Sequence, residues 1–101
     1  YDPALYVHKK SKTTLENALT SLQAILPVLE GLTVWTNESL YEALVALAAK
    51  LEVKNSIILW PLRVAVSGKA STPGGATEIC ALLGKQESID RVIRGIELLG
   101  K

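Results

Sequence analysis

Asn55-Ser56-Ile57-Ile58-Leu59-Trp60-Pro61-Leu62-Arg63-Val64-Ala65-Val66-Ser67-Gly68 is the stretch on which the fold turns. Ile57, Ile58, Val64 and Val66 are β-branched, so propensity alone favours a strand. Pro61 opposes that reading, because a proline cannot donate to the ladder of a central strand. No second run of this kind occurs in the chain, and a lone strand would have nothing to pair with. The segment is therefore read as a helix, started by Asn55 or Ser56 and ended by Gly68. Pro61 is placed near its first turn, where the missing N–H costs little.

Working towards the N-terminus, Thr36 starts a second helix, with Asn37 and Glu38 in a first turn that suits polar and negative groups. Leu40, Leu44, Leu47 and Leu51 form its apolar stripe. Before it, Thr13 and Glu16 have capping-box spacing. Leu15, Leu19, Leu22, Leu26 and Leu29 then recur every three or four residues along one helical face. Pro27 should kink the end of that helix, and Gly31 should stop it. Residues 1–12, with Pro3 and the basic Lys9, Lys10 and Lys12, read as a linker leading into the domain of residues 13–101.

Towards the C-terminus, residues 68–75 are a turn-rich loop holding Gly68, Pro73, Gly74 and Gly75. A short helix over residues 77–83 follows, with Gly84 just past its end. A last helix runs from about Gln86 to Leu99, with Ile89, Val92, Ile93, Ile96 and Leu99 facing the core. The fold class is thus all-α, an orthogonal bundle of about five helices rather than a long coiled coil.

Composition narrows the function. The chain has 101 residues, room for one small domain. It contains no methionine and is expected to be a piece of a longer protein. Lys and Arg total 11 against 10 Asp and Glu. That balance argues against nucleic-acid binding by bulk charge, while leaving room for a local basic stripe. Cys80 is the only cysteine and His8 the only histidine, so neither a disulfide framework nor a structural zinc site is expected. No membrane span or signal pattern is legible, and a cytoplasmic, monomeric domain is expected. No nucleophile has a base beside it, and no two carboxylates pair as acid and base. Gly68-Lys69 lacks the upstream glycine of a P-loop. Gly74-Gly75 before a helix could hold an anion, although a tight turn is the commoner use.

Trp60 and Arg63, three residues apart, share one helix face. A tryptophan offers a stacking surface and an arginine a planar fork that can bond base edges. The competing reading makes Trp60 a core anchor and Arg63 the ion-pair partner of a nearby glutamate.

Trp60-Pro61-Leu62-Arg63-Val64-Ala65-Val66-Ser67-Gly68-Lys69, then Thr72-Pro73-Gly74-Gly75, Glu78-Ile79 and Leu82-Leu83-Gly84-Lys85, resembles the C-terminal end of bacterial glutamyl-tRNA synthetases. Tyr1-Asp2-Pro3 and Lys9-Lys10 extend the likeness across essentially the whole chain. The resemblance implies a helical cage that grips the anticodon loop of the tRNA for glutamate, and in some members that for glutamine. It implies a parent enzyme that joins glutamate to tRNA with ATP and magnesium, at active-site motifs absent from this chain. On the same basis Trp60, Arg63, Thr72 and Pro73 lie against the first two anticodon bases, with Gly74 and Gly75 allowing close approach of backbone. The family often adds an aromatic just after the proline, but Gly75-Ala76-Thr77 offers none. Lys69, Lys85, Arg91 and Arg94 are candidate phosphate contacts. The alternative is a protein–protein adaptor that docks through its leucine stripes, with Trp60 as the hot spot.

Overall fold

The computed structural model describes residues 3–7, 13–69 and 74–100. Those residues form a short 3-10 turn, Pro3–Tyr6, and five helices: α1 (Leu15–Gly31), α2 (Asn37–Lys50), α3 (Asn55–Ser67), α4 (Ala76–Leu83) and α5 (Lys85–Leu99). No strand occurs among the described residues, so the β-branched stretch 57–66 is helical, as Pro61 required.

The composition of α3 follows from its place. It packs against α1, α2, α4, α5 and the 3-10 turn. Ile58, Pro61, Leu62, Val64, Ala65 and Val66 are buried along it. A helix covered on nearly every side needs apolar residues all round rather than one stripe. Pro61 is not in the first turn as expected but in the middle of the helix. Lacking an N–H, it offers nothing to the Ile57 carbonyl one turn back. Ser21 of α1 fills that place, its Oγ donating to the Ile57 oxygen at 3.0 Å. Pro27 in α1 needs no such help, since it and Gln23, one turn back, are exposed to water. Gly68 ends α3 in the left-handed region at φ 69°.

The start of α1 is displaced by one residue from the sequence expectation. Thr14, not Thr13, is the cap: its Oγ1 accepts the Asn17 amide at 3.1 Å, and Asn17 Oδ1 accepts the Thr14 amide at 2.7 Å. Thr13 is buried, which keeps its hydroxyl away from the helix mouth. The core face is rotated as well. Ala18, Ser21, Leu22, Ile25 and Leu29 are buried, whereas Leu15 is 45 % exposed. In α2 the cap is Thr36, as expected, reciprocated by Ser39. Its buried line is Leu40, Leu44 and Ala48, with Leu51 exposed.

In α5 the buried residues are Ser88, Ile89, Val92 and Gly95, and Ile93 faces out. Gly95 sets the closeness of α5 to the core: a Cβ there would lie 2.8 Å from Tyr6 Oη and 3.1 Å from Leu22 Cδ1. Tyr6, in the segment read as a linker, is fully buried, so the 3-10 turn belongs to the core.

Candidate nucleic-acid interface

Trp60 and Arg63 meet as their spacing requires. The Arg63 guanidinium carbon lies 5.9 Å from the centre of the Trp60 ring, a cation–π distance. The two residues are held differently. Trp60 is half-buried against the core, and its Nε1–H donates to the Leu5 carbonyl at 3.1 Å. Arg63 is partly exposed, and no carboxylate pairs with it among the described residues. The indole is thus an anchored platform, and the guanidinium keeps its N–H fork for another partner. The core-anchor reading therefore holds for Trp60, while the glutamate partner imagined for Arg63 is not found among the described residues.

Below this pair the last turn of α3 is fastened by Ser67. Its Oγ donates to the Arg63 carbonyl at 2.5 Å and accepts the Lys69 amide at 3.1 Å. Of the residues expected to face anticodon bases, Thr72 and Pro73 lie outside the described residues, as do His8 and the basic Lys9, Lys10 and Lys12. Gly74 and Gly75 precede α4, which has no side-chain cap. A Cβ at Gly74 would sit 2.9 Å from Glu78 Oε2, so that carboxylate lies over the start of the helix. Its charge suits the helix dipole and opposes an anion at the same amides. Thr77 is buried and donates its hydroxyl to Asn37 Oδ1 at 2.6 Å. That bond ties α4 to α2.

The four candidate phosphate contacts separate. Lys85 Nζ donates to the Glu30 and Leu32 carbonyls, at 3.0 and 2.7 Å, and so closes the C-terminal end of α1. Arg91 Nη1 donates to the Val66 carbonyl at 2.6 Å, and its Nε pairs with Glu87 at 3.3 Å. Lys69 and Arg94 are exposed, and neither has an ion-pair partner among the described residues. Arg91 and Arg94 line a cleft of about 190 Å³ with Ala65, Ser67 and Gly68. A larger groove of about 400 Å³ lies at the other end of α3, against Thr14, Asn17, Ser21, Leu51 and Val53. It has Glu16 as its charged wall and is unsuited to a polyanion.

Sequence reading did not single out Trp35, whose indole N–H donates to the Cys80 carbonyl at 2.8 Å and holds α4 in place. It also could not locate the Leu5 carbonyl under Trp60, since a backbone acceptor far away in the chain leaves no sequence signal. Cys80 is buried, and desolvation pushes its thiol up to about 11, against a weaker lowering by Ser88. Such a thiol is a poor nucleophile at neutral pH. Among the described residues no group of three His, Cys, Asp or Glu side chains could hold a metal ion, and no helix is long and apolar enough to cross a membrane.

Comparison with known proteins meets this geometry. Glutamate–tRNA ligases of Clostridium botulinum strain Hall and Clostridium tetani strain Massachusetts are each 54 % identical over 99 residues, and that of Clostridium novyi strain NT is 50 % identical. Each alignment covers 98 % of this chain but 20 % of the relative, so the chain spans about a fifth of the length of the curated relatives it matches. The family model described as an anticodon binding domain matches residues 1–96, almost the whole helical bundle, and the chain belongs to that family.

Proposed function

We propose that this domain holds the anticodon loop of the tRNA for glutamate, and of that for glutamine where the parent accepts it. It would do so on behalf of a longer glutamate–tRNA ligase that carries out the chemistry elsewhere in its chain. ATP and magnesium act in that other part, in the cytoplasm, and the domain works as a monomer that adds recognition and no catalytic step. The observation that carries this reading is the Trp60–Arg63 pair: an anchored indole with a cation above it and no carboxylate competing for that cation among the described residues. A splayed base stacks on such a platform, and Arg63 bonds its edge. Thr72, Pro73, Gly74 and Gly75, which follow in the sequence, are the remaining base contacts of this reading, and glycine there would let the backbone approach.

The test is affinity for tRNA with its natural anticodon and for a variant changed at the middle base, measured over a range of salt for the unsubstituted protein and Arg63→Ala. A lost base contact costs about 1–3 kcal/mol and relaxes specificity at one position. Equal weakening of both tRNAs with a lower salt slope would make Arg63 a phosphate clamp instead. Failure of the unsubstituted protein to bind any tRNA would sink the reading and favour the adaptor alternative.

A further inference from the structure

We infer that the cleft between the C-terminal end of α3 and α5 is a phosphodiester subsite beside the base-reading pair; the inference rests on the tRNA reading above. Three observations converge there. First, the cleft is concave and cationic. Arg91 and Arg94 of α5 line it, and the α3 side contributes Ala65, Ser67 and Gly68, none of which has a bulky or charged side chain, while Arg91 covers the Val66 carbonyl at that negative helix end.

Second, the two arginines divide the work. Arg91 is held in place by the Val66 carbonyl and Glu87 and so forms a fixed wall. Arg94 is exposed and has no carboxylate partner among the described residues: Glu87 is engaged with Arg91, and Asp90, one turn before Arg94, accepts from Gln86 at 2.9 Å. Arg94 is therefore the group left to meet an anion, and a guanidinium matches phosphate oxygens two at a time.

Third, the cleft continues the α3 face that carries the candidate base contacts. Trp60, Arg63 and Ser67 follow one another at helical spacing, and the Ser67 hydroxyl already touches the Arg63 backbone. Four residues of helix rise about 6 Å. A stacked strand advances about 3.4 Å per phosphate, and a strand with splayed bases advances further. A strand with a base on Trp60 and Arg63 thus has a phosphate one or two nucleotides away at the cleft. That continuity favours an RNA backbone over the carboxylates of an acidic peptide.

Two measurements test the inference. Amide and Arg94 Nε–H signals are followed while inorganic phosphate replaces chloride at constant ionic strength. Affinity for tRNA is then measured against salt for the unsubstituted protein, Arg94→Gln and Arg94→Lys. Phosphate should move the Ser67, Gly68 and Arg94 signals. Arg94→Gln should lower the salt slope by about 0.7–0.9, weaken natural and middle-base-altered tRNA by the same factor, and leave their ratio unchanged, with Arg94→Lys restoring most of the slope. An unchanged slope, or a change in the ratio between the two tRNAs, overturns the subsite while leaving tRNA recognition standing. Phosphate-sensitive signals in a protein that binds no tRNA would overturn both and hand the cleft to acidic peptides.

Discussion

The Ser21–Ile57 bond gives a prediction with a built-in control. Pro61 removes the amide that would have satisfied the Ile57 carbonyl, and Ser21 Oγ, 4 % exposed as a residue, replaces it at 3.0 Å. Ser21→Ala leaves that acceptor without its partner. A typical intramolecular hydrogen bond contributes about 1 kcal/mol, and an orphaned buried acceptor costs about 1–3 kcal/mol. The bond is only part-buried and borders the larger groove, from which water can reach it, so the lower end applies. We expect Ser21→Ala to cost about 1 kcal/mol, seen as a lower denaturation midpoint with an unchanged m-value. The control is Pro61→Ala, which returns an N–H to the helix ladder. In that background the Ile57 carbonyl has a backbone partner, and Ser21→Ala should cost a few tenths of a kcal/mol at most. The coupling energy between the two substitutions is therefore about 1 kcal/mol, within reach of a double-mutant cycle. If Ser21→Ala costs the same beside Pro61 and beside Ala at 61, the hydroxyl does not stand in for the missing amide, and the account of why α3 tolerates a central proline is wrong.

Other perturbations follow from single contacts. Gly95→Ala should destabilise by about 1 kcal/mol, because an overpacking cost of about 2 kcal/mol against Tyr6 and Leu22 outweighs the helix-propensity gain of about 1 kcal/mol; thermal melting reads it, and Tyr6→Phe should soften it by removing the closest atom. Burial raises the Cys80 thiol from 9.0 to about 11, so the folded state holds that proton more tightly than the unfolded chain. This contribution is intact below about pH 9 and is lost as pH rises through about 11, a decline that should flatten in Cys80→Ala and whose persistence would refute its assignment to Cys80. Lys85→Met keeps the apolar stem but drops both bonds to the end of α1, and should cost about 1–2 kcal/mol in chemical denaturation; no loss would mean that the ammonium is free for other work.

What could be read from the sequence divides along physical lines. Helix existence was legible because Pro61 vetoed the strand and the glycines and threonines punctuate the chain. Thr36, Gly68 and Gly84 mark ends where expected. Helix orientation was less legible. The leucine periodicity puts Leu15 and Leu51 on core faces, yet both are exposed, and α1 meets α3 at Ser21 and α5 where Leu22 faces Gly95. Small residues let backbones approach and contribute little to a hydrophobic stripe, so periodicity points beside the contact rather than at it. The cap of α1 went wrong for a related reason. Thr13 with Glu16 and Thr14 with Asn17 have the same spacing, and only the burial of Thr13 separates them.

The site was legible as spacing but not as a division of labour. Residues 60 and 63 must share a helix face, and they do; nothing in the sequence says that the indole N–H is spoken for by Leu5. Nor does it separate four basic residues that look alike. Lys85 and Arg91 each close the carbonyl end of a neighbouring helix, where a cation meets both the negative end of the dipole and unpaired acceptors. Those bonds fix α1 and α3 relative to α5 and so hold the Trp60–Arg63 face steady. Arg63, Lys69 and Arg94 are among the cations without carboxylate partners in the described residues, and these three lie on or beside the second half of α3. A nearly neutral domain can in this way present local positive charge: Glu87 is taken up by Arg91, and on the proposed reading recognition rests on the neighbouring cations that the fold leaves unspent.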